Sequence, residues 1–182
     1  MYFCTVRAGY TGVQWFRAEF RDGAWRDWRF AGDELKQDRY EVGELHMSAD
    51  GQEMFFHSRR AGGYGGLDLW VAPKTSDGWG EPINLGRLVN TSADEGWPFV
   101  SPDGQELWYN GQSKQGRPGP AIFRAPRQPD GSWGHPEEIV STFAGEPSMS
   151  NDGRTLYFVH HYYSKDLTTI LEGDIYVSVR TK

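Results

Sequence analysis

The segment Met47-Ser-Ala-Asp-Gly-Gln-Glu-Met-Phe-Phe56 returns twice, as Val100-Ser-Pro-Asp-Gly-Gln-Glu-Leu-Trp-Tyr109 and Met149-Ser-Asn-Asp-Gly-Arg-Thr-Leu-Tyr-Phe158. Each copy is an apolar run, a Ser-x-Asp-Gly corner and a second apolar or aromatic run. Asp-Gly tolerates the positive φ of a two-residue hairpin turn, so the unit predicts strand, tight turn, strand. The copies begin at Ser48, Ser101 and Ser150. A period of about 50 residues indicates a propeller or solenoid.

Turns of a second kind lie between these corners: Asp22-Gly-Ala-Trp25, Asp77-Gly-Trp79 and Asp130-Gly-Ser-Trp133. Trp25, Trp79 and Trp133 are each 54 residues apart, and Pro82 and Pro136 keep the same step. Between the two kinds of turn runs another short apolar strand: Trp15-Phe-Arg-Ala18, Leu69-Trp-Val-Ala72, Ile122-Phe-Arg-Ala125 and Ile175-Tyr-Val-Ser178. One repeat thus has four strands. Strand A precedes the serine corner, B follows it, C is the Ile/Leu-aromatic strand and D begins near the tryptophan. Four antiparallel strands per repeat is a propeller blade.

Composition agrees. Eight Trp, nine Tyr and ten Phe against four Met favour pleated sheet. The 182 residues suffice for one domain, 1–182, with blades over about 1–42, 43–95, 96–144 and 145–182. A net charge of −6 lacks the basic face that nucleic acid or an anionic membrane requires. No apolar run is long enough to insert across a bilayer. The first residues carry no secretion signal. Cys4 is the sole cysteine, so no internal disulfide forms, and its strand pattern predicts burial.

Ser-Pro-Asp-Gly-x-x-Leu-Trp-Tyr, the loop and strand Gly62-Gly-Tyr-Gly-Gly-Leu-Asp-Leu-Trp-Val71, and Trp79-Gly-Glu-Pro-Ile-Asn-Leu-Gly86 followed by Asn90-Thr resemble the WD40-like PD40 repeats of TolB-type propellers. The likeness covers nearly the whole chain. The fourth repeat departs from it, with His160-His-Tyr-Tyr-Ser-Lys-Asp-Leu-Thr-Thr-Ile-Leu-Glu-Gly173 in place of the glycine-rich loop. The resemblance implies a propeller fold and a periplasmic or cell-envelope setting. It does not imply one activity, because function belongs to sites and not to folds.

Aligning Met1-Tyr-Phe on Met54-Phe-Phe and Leu156-Tyr-Phe starts the chain at strand B of its first blade and ends it after strand C of its fourth. The expected fold is therefore all-β, a β-propeller with about two complete and two incomplete four-stranded blades. Three explanations stay open: a piece of a longer ring, rearranged terminal strands, or a homodimer in which a second copy completes the propeller. Uncovered sheet edges are avoided by natural proteins, which favours self-association.

Both Asp-Gly series lie on one rim, and the B–C and D–A connections lie on the other. Variable loops on a rigid scaffold carry function, so the second rim is the expected working face. Its D–A connections are acidic, with Asp33, Glu34, Asp38, Glu41 and Glu44, then Asp94 and Glu95, then Glu146. Four residues before each corner serine stand Glu44, Trp97 and Glu146, and two before it stand His46, Phe99 and Ser148. Alternation points these toward the channel or a blade interface and buries Leu45, Met47, Pro98, Val100, Pro147 and Met149. One reading makes the protein a non-catalytic binding or interaction module for a protein or glycan, with His46, Trp97, His160, His161, Tyr162 and Tyr163 in contact with the ligand. The alternative is a glycoside hydrolase or polysaccharide lyase in which Glu44, Glu95 and Glu146 act as acid and base. No cofactor is called for. A divalent cation in the channel would take His46, His160 or His161 with carboxylates, but adjacent histidines are poorly aimed for one metal. Arg59, Arg60, Lys114, Arg117 and Lys165 add positive charge to this rim, while Asp68, Asp174 and the corner aspartates read as turn formers.

Overall fold

The chain's structure is a computed structural model that describes residues 2–5, 14–35 and 42–181; Asp38 and Glu41 lie outside these, as does the Cys4 side chain. Among the described residues four antiparallel sheets follow one another. The first holds β1 (Tyr2–Thr5), β2 (Gln14–Arg21) and β3 (Ala24–Phe30). A 3₁₀ turn at Gly32–Leu35 precedes the second, built from β4 (Val42–Met47), β5 (Glu53–Ser58), β6 (Asp68–Thr75), β7 (Gly78–Trp79) and β8 (Ile83–Asn84). The third holds β9 (Gly96–Val100), β10 (Glu106–Gln112), β11 (Pro120–Pro126) and β12 (Glu137–Val140), and the fourth β13 (Ala144–Met149), β14 (Thr155–Tyr163) and β15 (Ile170–Val179). This is the expected partial propeller. The first sheet holds strands B, C and D, and the last holds A, B and C.

Strand D of the second blade is split: β7 pairs with Lys74 and Thr75, β8 with Trp70 and Val71. Pro82 sits in the gap, where its missing N–H would leave a rung of the ladder unmade. Pro136 occupies the same place between Trp133, which bridges to Arg127, and β12.

Alternation along the strands sends one face of each blade forward and the other back. Trp15 of the first blade packs with Met54, Phe56, Trp70 and Ala72 of the second. Phe55 and Leu69 meet Leu107, Tyr109 and Phe123 of the third, and Trp108 and Ile122 meet Leu156 and Phe158 of the fourth. The core therefore lies between blades. Each large side chain buried there contributes about 1.5–3 kcal/mol. Met47, expected inside, is exposed, whereas Val100 and Met149, at the same place after the same bulge, pack into the core; Met47 stands opposite Met54 on the face turned to the first blade, where the described residues include no strand A.

The serine corners differ from a two-residue turn. Ser48 N–H bonds to Glu53 O at 2.9 Å and Gly51 N–H to Ser48 O at 2.8 Å, leaving residues 49–52 in the loop. The Ser48 hydroxyl donates to Asp50 at 2.6 Å and accepts from Glu53 N–H at 2.9 Å. Only the glycine takes positive φ, at 69° in Gly51, 73° in Gly104 and 67° in Gly153. Serine and aspartate are thus local hydrogen-bonding partners. The serine hydroxyl is the main cause that holds the carboxyls of Asp50, Asp103 and Asp152 below their ordinary range.

The same corner recurs on the opposite rim, where the sequence suggested a long loop. Ser164 N–H bonds to Thr169 O and Leu167 N–H to Ser164 O, both at 2.8 Å, and Thr169 N–H bonds to the Ser164 hydroxyl at 3.1 Å. His160 to Tyr163 therefore belong to strand β14, which runs straight into the corner. The motif escaped notice because Leu167, at φ 59°, stands where the other corners have glycine. Left-handed backbone costs a branched residue roughly 1–2 kcal/mol. Leu167→Gly is expected to raise stability by about 1 kcal/mol, read as a higher urea midpoint with unchanged slope; an unchanged or lower midpoint would contradict the corner assignment.

Candidate binding site

Strand A carries a bulge in the second, third and fourth blades, with register breaks between Gly43 and His46, opposite Trp108 to Asn110, and between Gly145 and Ser148. At each bulge a glycine is followed by a bulky residue at positive φ: Glu44 at 35°, Trp97 at 49° and Glu146 at 55°. The twisted backbone turns an N–H away from its own sheet and toward the preceding blade. Trp97 N–H reaches His57 Nδ1 at 3.4 Å, and Glu146 N–H reaches Asn110 Oδ1 at 3.0 Å. The glycines make this approach feasible. A Cβ on Gly96 would lie 3.1 Å from His57 Nδ1, and one on Gly145 2.3 Å from Asn110 Nδ2.

These bulges aim Glu44 and Glu146 at the channel. Burial is the main cause that pushes the Glu44 carboxyl up, and the nearby Glu146 charge adds to it. His161 Nε2 stands 3.6 Å from Glu146. Glu95 does not join them. Its carboxylate is buried in its own loop, accepting from Thr91 N–H at 2.9 Å and Thr91 Oγ1 at 2.5 Å. Desolvation there pushes the Glu95 carboxyl up against the effect of those two bonds. The structural counterpart of Glu44 and Glu146 is Trp97.

His46 lies between the inner strands of two blades, with Nε2 3.1 Å from Val100 O and its ring 4.4 Å from that of Phe99. Burial pushes it down to about 4, so it is neutral at pH 7. His57 is likewise pushed down to about 4, first by burial and then by the Arg59 charge. Its Nδ1 receives the Trp97 N–H, which places the proton on Nε2.

Strand alternation divides the four consecutive aromatics of β14. His160 and Tyr162 face Tyr176, with ring separations of 4.8 Å to each other and 5.8 Å from His160 to Tyr176, and the Tyr162 and Tyr176 hydroxyls are 2.7 Å apart. His161 and Tyr163 face the other way, where Tyr163 packs 4.7 Å from Phe143. His160 Nδ1 is buried without a hydrogen-bond partner. Among the described residues no three His, Cys, Asp or Glu side chains are grouped to hold a metal ion.

A cleft of about 500 Å³ opens on the expected rim between the second and third blades. The D–A connection from Ala93 to Trp97 forms one wall, and Arg117, Pro118, Gly119 and Pro120 from the B–C loop of the third blade form the other; Asn110 and Gly111 lie between. The Trp97 indole is partly exposed here and meets the His57 ring edge-on at 5.5 Å. Three of the other rim cations are engaged, while Lys165, outside the cleft, has no ion-pair partner among the described residues. Arg59 pairs with Asp94 at 3.3 Å, Arg60 is buried over Phe56 and Trp70, and Lys114 sits over Phe123. Arg117 has no ion-pair partner among the described residues. Sequence reasoning missed His57 and Asn110, although both stand nine residues after a corner serine. Asp68 is a loop organiser, accepting from Tyr64 N–H, Gly65 N–H and Asn84 Nδ2.

No protein-family model matches the chain, and no curated protein sequence does. Among solved structures it is similar to TolB from Acinetobacter baumannii, with 14% identity, a TM-score of 0.57 and coverage of 97% of this chain and 37% of TolB. A prolyl endopeptidase structure is 15% identical with a TM-score of 0.49 over 100% of this chain and 26% of its own length. A periplasmic gluconolactonase from Pseudomonas aeruginosa is 16% identical with a TM-score of 0.44, over 83% and 44%. The chain spans about a third of TolB's length. At these identities the likeness establishes fold, and the class is a partial, TolB-like β-propeller.

Two stability measurements test this inter-blade chemistry. Below its ordinary pKa of about 6.5 an unfolded histidine takes up a proton that folded His46 and His57 refuse until about pH 4. Stability carried by these residues is therefore complete above pH 6.5 and is lost as pH falls toward 4. His46→Gln keeps a donor for Val100 O and is expected to flatten this part of the stability profile, read by urea melts across the range. Asn110→Val strands the Glu146 N–H and is expected to cost about 1–3 kcal/mol; a cost under half of that would mean the bulge is held otherwise.

Proposed function

We propose that this chain is a non-catalytic binding module of the TolB/PD40 type, acting from the B–C and D–A rim in the cell envelope. The carrying observation is a cleft lined by both Trp97, whose ring is partly exposed, and Arg117, which has no ion-pair partner among the described residues. A ring face with a fixed cation suits a ligand that joins a flat or apolar portion to an anionic group, as in an acidic peptide segment or a uronic-acid glycan. Pro118 and Pro120 in the Arg117 wall fix the backbone φ there and limit the ordering cost of binding. The carboxylates of Glu44 and Glu146 lie on the channel side, where they repel an anionic ligand from the axis and leave the cleft as the entry.

Trp97→Ala and Arg117→Ala are each expected to lower affinity at least about tenfold for the best ligand from a panel of acidic peptides and oligouronides, since anchor residues of these types dominate binding. The readout is Trp fluorescence or NMR titration, with far-UV circular dichroism showing that each variant stays folded. Glycan turnover that disappears in Glu146→Gln would replace this reading with that of a carbohydrate-active enzyme.

A further inference from the structure

The cleft between the second and third blades lies where a strand ladder stops early. Strands A and B pair in the second, third and fourth blades, and the pairs can be counted from the corner serines. Each time the glycine five residues before the serine faces the residue nine after it: Gly43 with His57, Gly96 with Asn110, Gly145 with Val159. The second blade adds Val42 with Ser58. The fourth adds Ala144 with His160, and beyond that pair His161 N–H bonds to Phe143 O at 2.9 Å. In the third blade the ladder ends at Gly96, and neither of these rungs is made among the described residues.

The missing rungs have a local cause. Residues 93–95, which would make them, are bonded to the glycine-rich B–C loop of the second blade: Gly66 N–H to Ala93 O at 3.0 Å, Glu95 N–H to Leu67 O at 2.7 Å and Leu67 N–H to Asp94 Oδ1 at 2.6 Å. Gly65 lets that loop come close, since a Cβ there would lie 2.5 Å from Thr91 O. The inner edge of β10 is therefore left open at its end.

Phase along β10 fixes which groups lie on that edge. Glu106 O accepts from Ser101 N–H on the strand A side, and Gln105 O accepts from Arg127 N–H on the strand C side. Backbone groups alternate along a strand, and β10 pairs with β11 without a register break from Glu106 to Gln112. Gln112 thus turns its N–H and C=O to the strand A side, and its β11 neighbour Pro120 has no N–H to give. It is the counterpart of His161, eleven residues after the corner serine. Gln112 is exposed, lines the cleft together with Trp97 and Arg117, and its backbone N–H and C=O have no hydrogen-bond partner among the described residues.

We infer that the cleft takes an extended peptide bearing a carboxylate, one residue of which completes the missing rung on Gln112 while the carboxylate meets Arg117 and a neighbouring side chain rests on Trp97. This rests on the reading of the rim as a binding surface and narrows its ligand to a peptide. One residue of an extended chain offers an N–H and a C=O side by side, which is what the Gln112 edge lacks; a glycan has hydroxyls but no such pair along its backbone. Of the charged side chains lining the cleft, Asp94 is paired with Arg59 and Glu95 is held by Thr91, which leaves the guanidinium for an anion.

NMR titration of the full chain tests this. The probes are capped pentapeptides of valine and threonine with one glutamate scanned through the positions, the same peptides without glutamate but with a free C-terminus, and trigalacturonate. The tightest peptide is expected to shift the Gln112 amide and to slow its exchange with solvent at least about tenfold. Replacing one peptide bond of that ligand by an ester removes the N–H given to Gln112 O, and at one position it is expected to lower affinity about three- to tenfold. Gln112→Pro deletes the donor on the protein without breaking a bond of the free chain and is expected to lower affinity by a similar factor with unchanged circular dichroism. Should that variant unfold, the ester series decides, because it is measured on the natural chain. The inference stands for either source of the carboxylate: tighter glutamate peptides assign it to a side chain, tighter free-terminus peptides to a chain end. Peptides that depend on Trp97 and Arg117 but show no sensitive ester position and no change at Gln112 would overturn the inference and keep the rim reading. Binding of trigalacturonate but of no peptide would do the same. If no probe binds, both fall.

Discussion

An N–H turned out of its own sheet ties the third blade to the second and the fourth to the third. Forcing Glu44, Trp97 and Glu146 into left-handed backbone costs roughly 1–2 kcal/mol apiece. For Trp97 and Glu146 the return is a hydrogen bond between blades, to His57 and Asn110. The bulge also fixes side-chain direction. With the strand kinked at its inner end, the residue at positive φ is lifted out of the blade interface and delivered to the channel or the cleft, so the constraint that assembles the array also places its exposed groups.

Burial then decides what those groups can do. His46 and His57 are enclosed and kept neutral, filling and bridging instead of carrying charge. Glu95 is enclosed as well, and two bonds from Thr91 occupy its oxygens. Glu44 and Glu146 share the channel, where proximity raises the first. The cleft between the second and third blades is lined by a partly exposed indole, Trp97, and by the Arg117 guanidinium, which has no ion-pair partner among the described residues. Neither group is an acid or base near neutral pH.

Repeat arithmetic made most of the architecture legible. The serine corners, the tryptophan step of 54 and the C-strand motifs located the strands and the incomplete end blades. What it missed has local causes. The corner at Ser164 was hidden by Leu167, which stands where the other three corners have glycine. Met47 was expected inside because alternation marks the face of a strand without showing whether a neighbouring blade covers it there. Glu95 was grouped with Glu44 and Glu146 by charge, when register puts Trp97 beside them.

The amino-acid sequence by itself determined the repeat, the four-strand blade and the two turn chemistries, because each depends on residues within a few positions of one another: hydroxyl, carboxylate and glycine in one corner, alternation along one strand. Tertiary structure alone decided which carboxylates meet, which histidines are neutral and which cation lacks a partner. Those properties arise between blades, from residues about 50 positions apart, where distance and dielectric are set by packing and not by spacing along the chain.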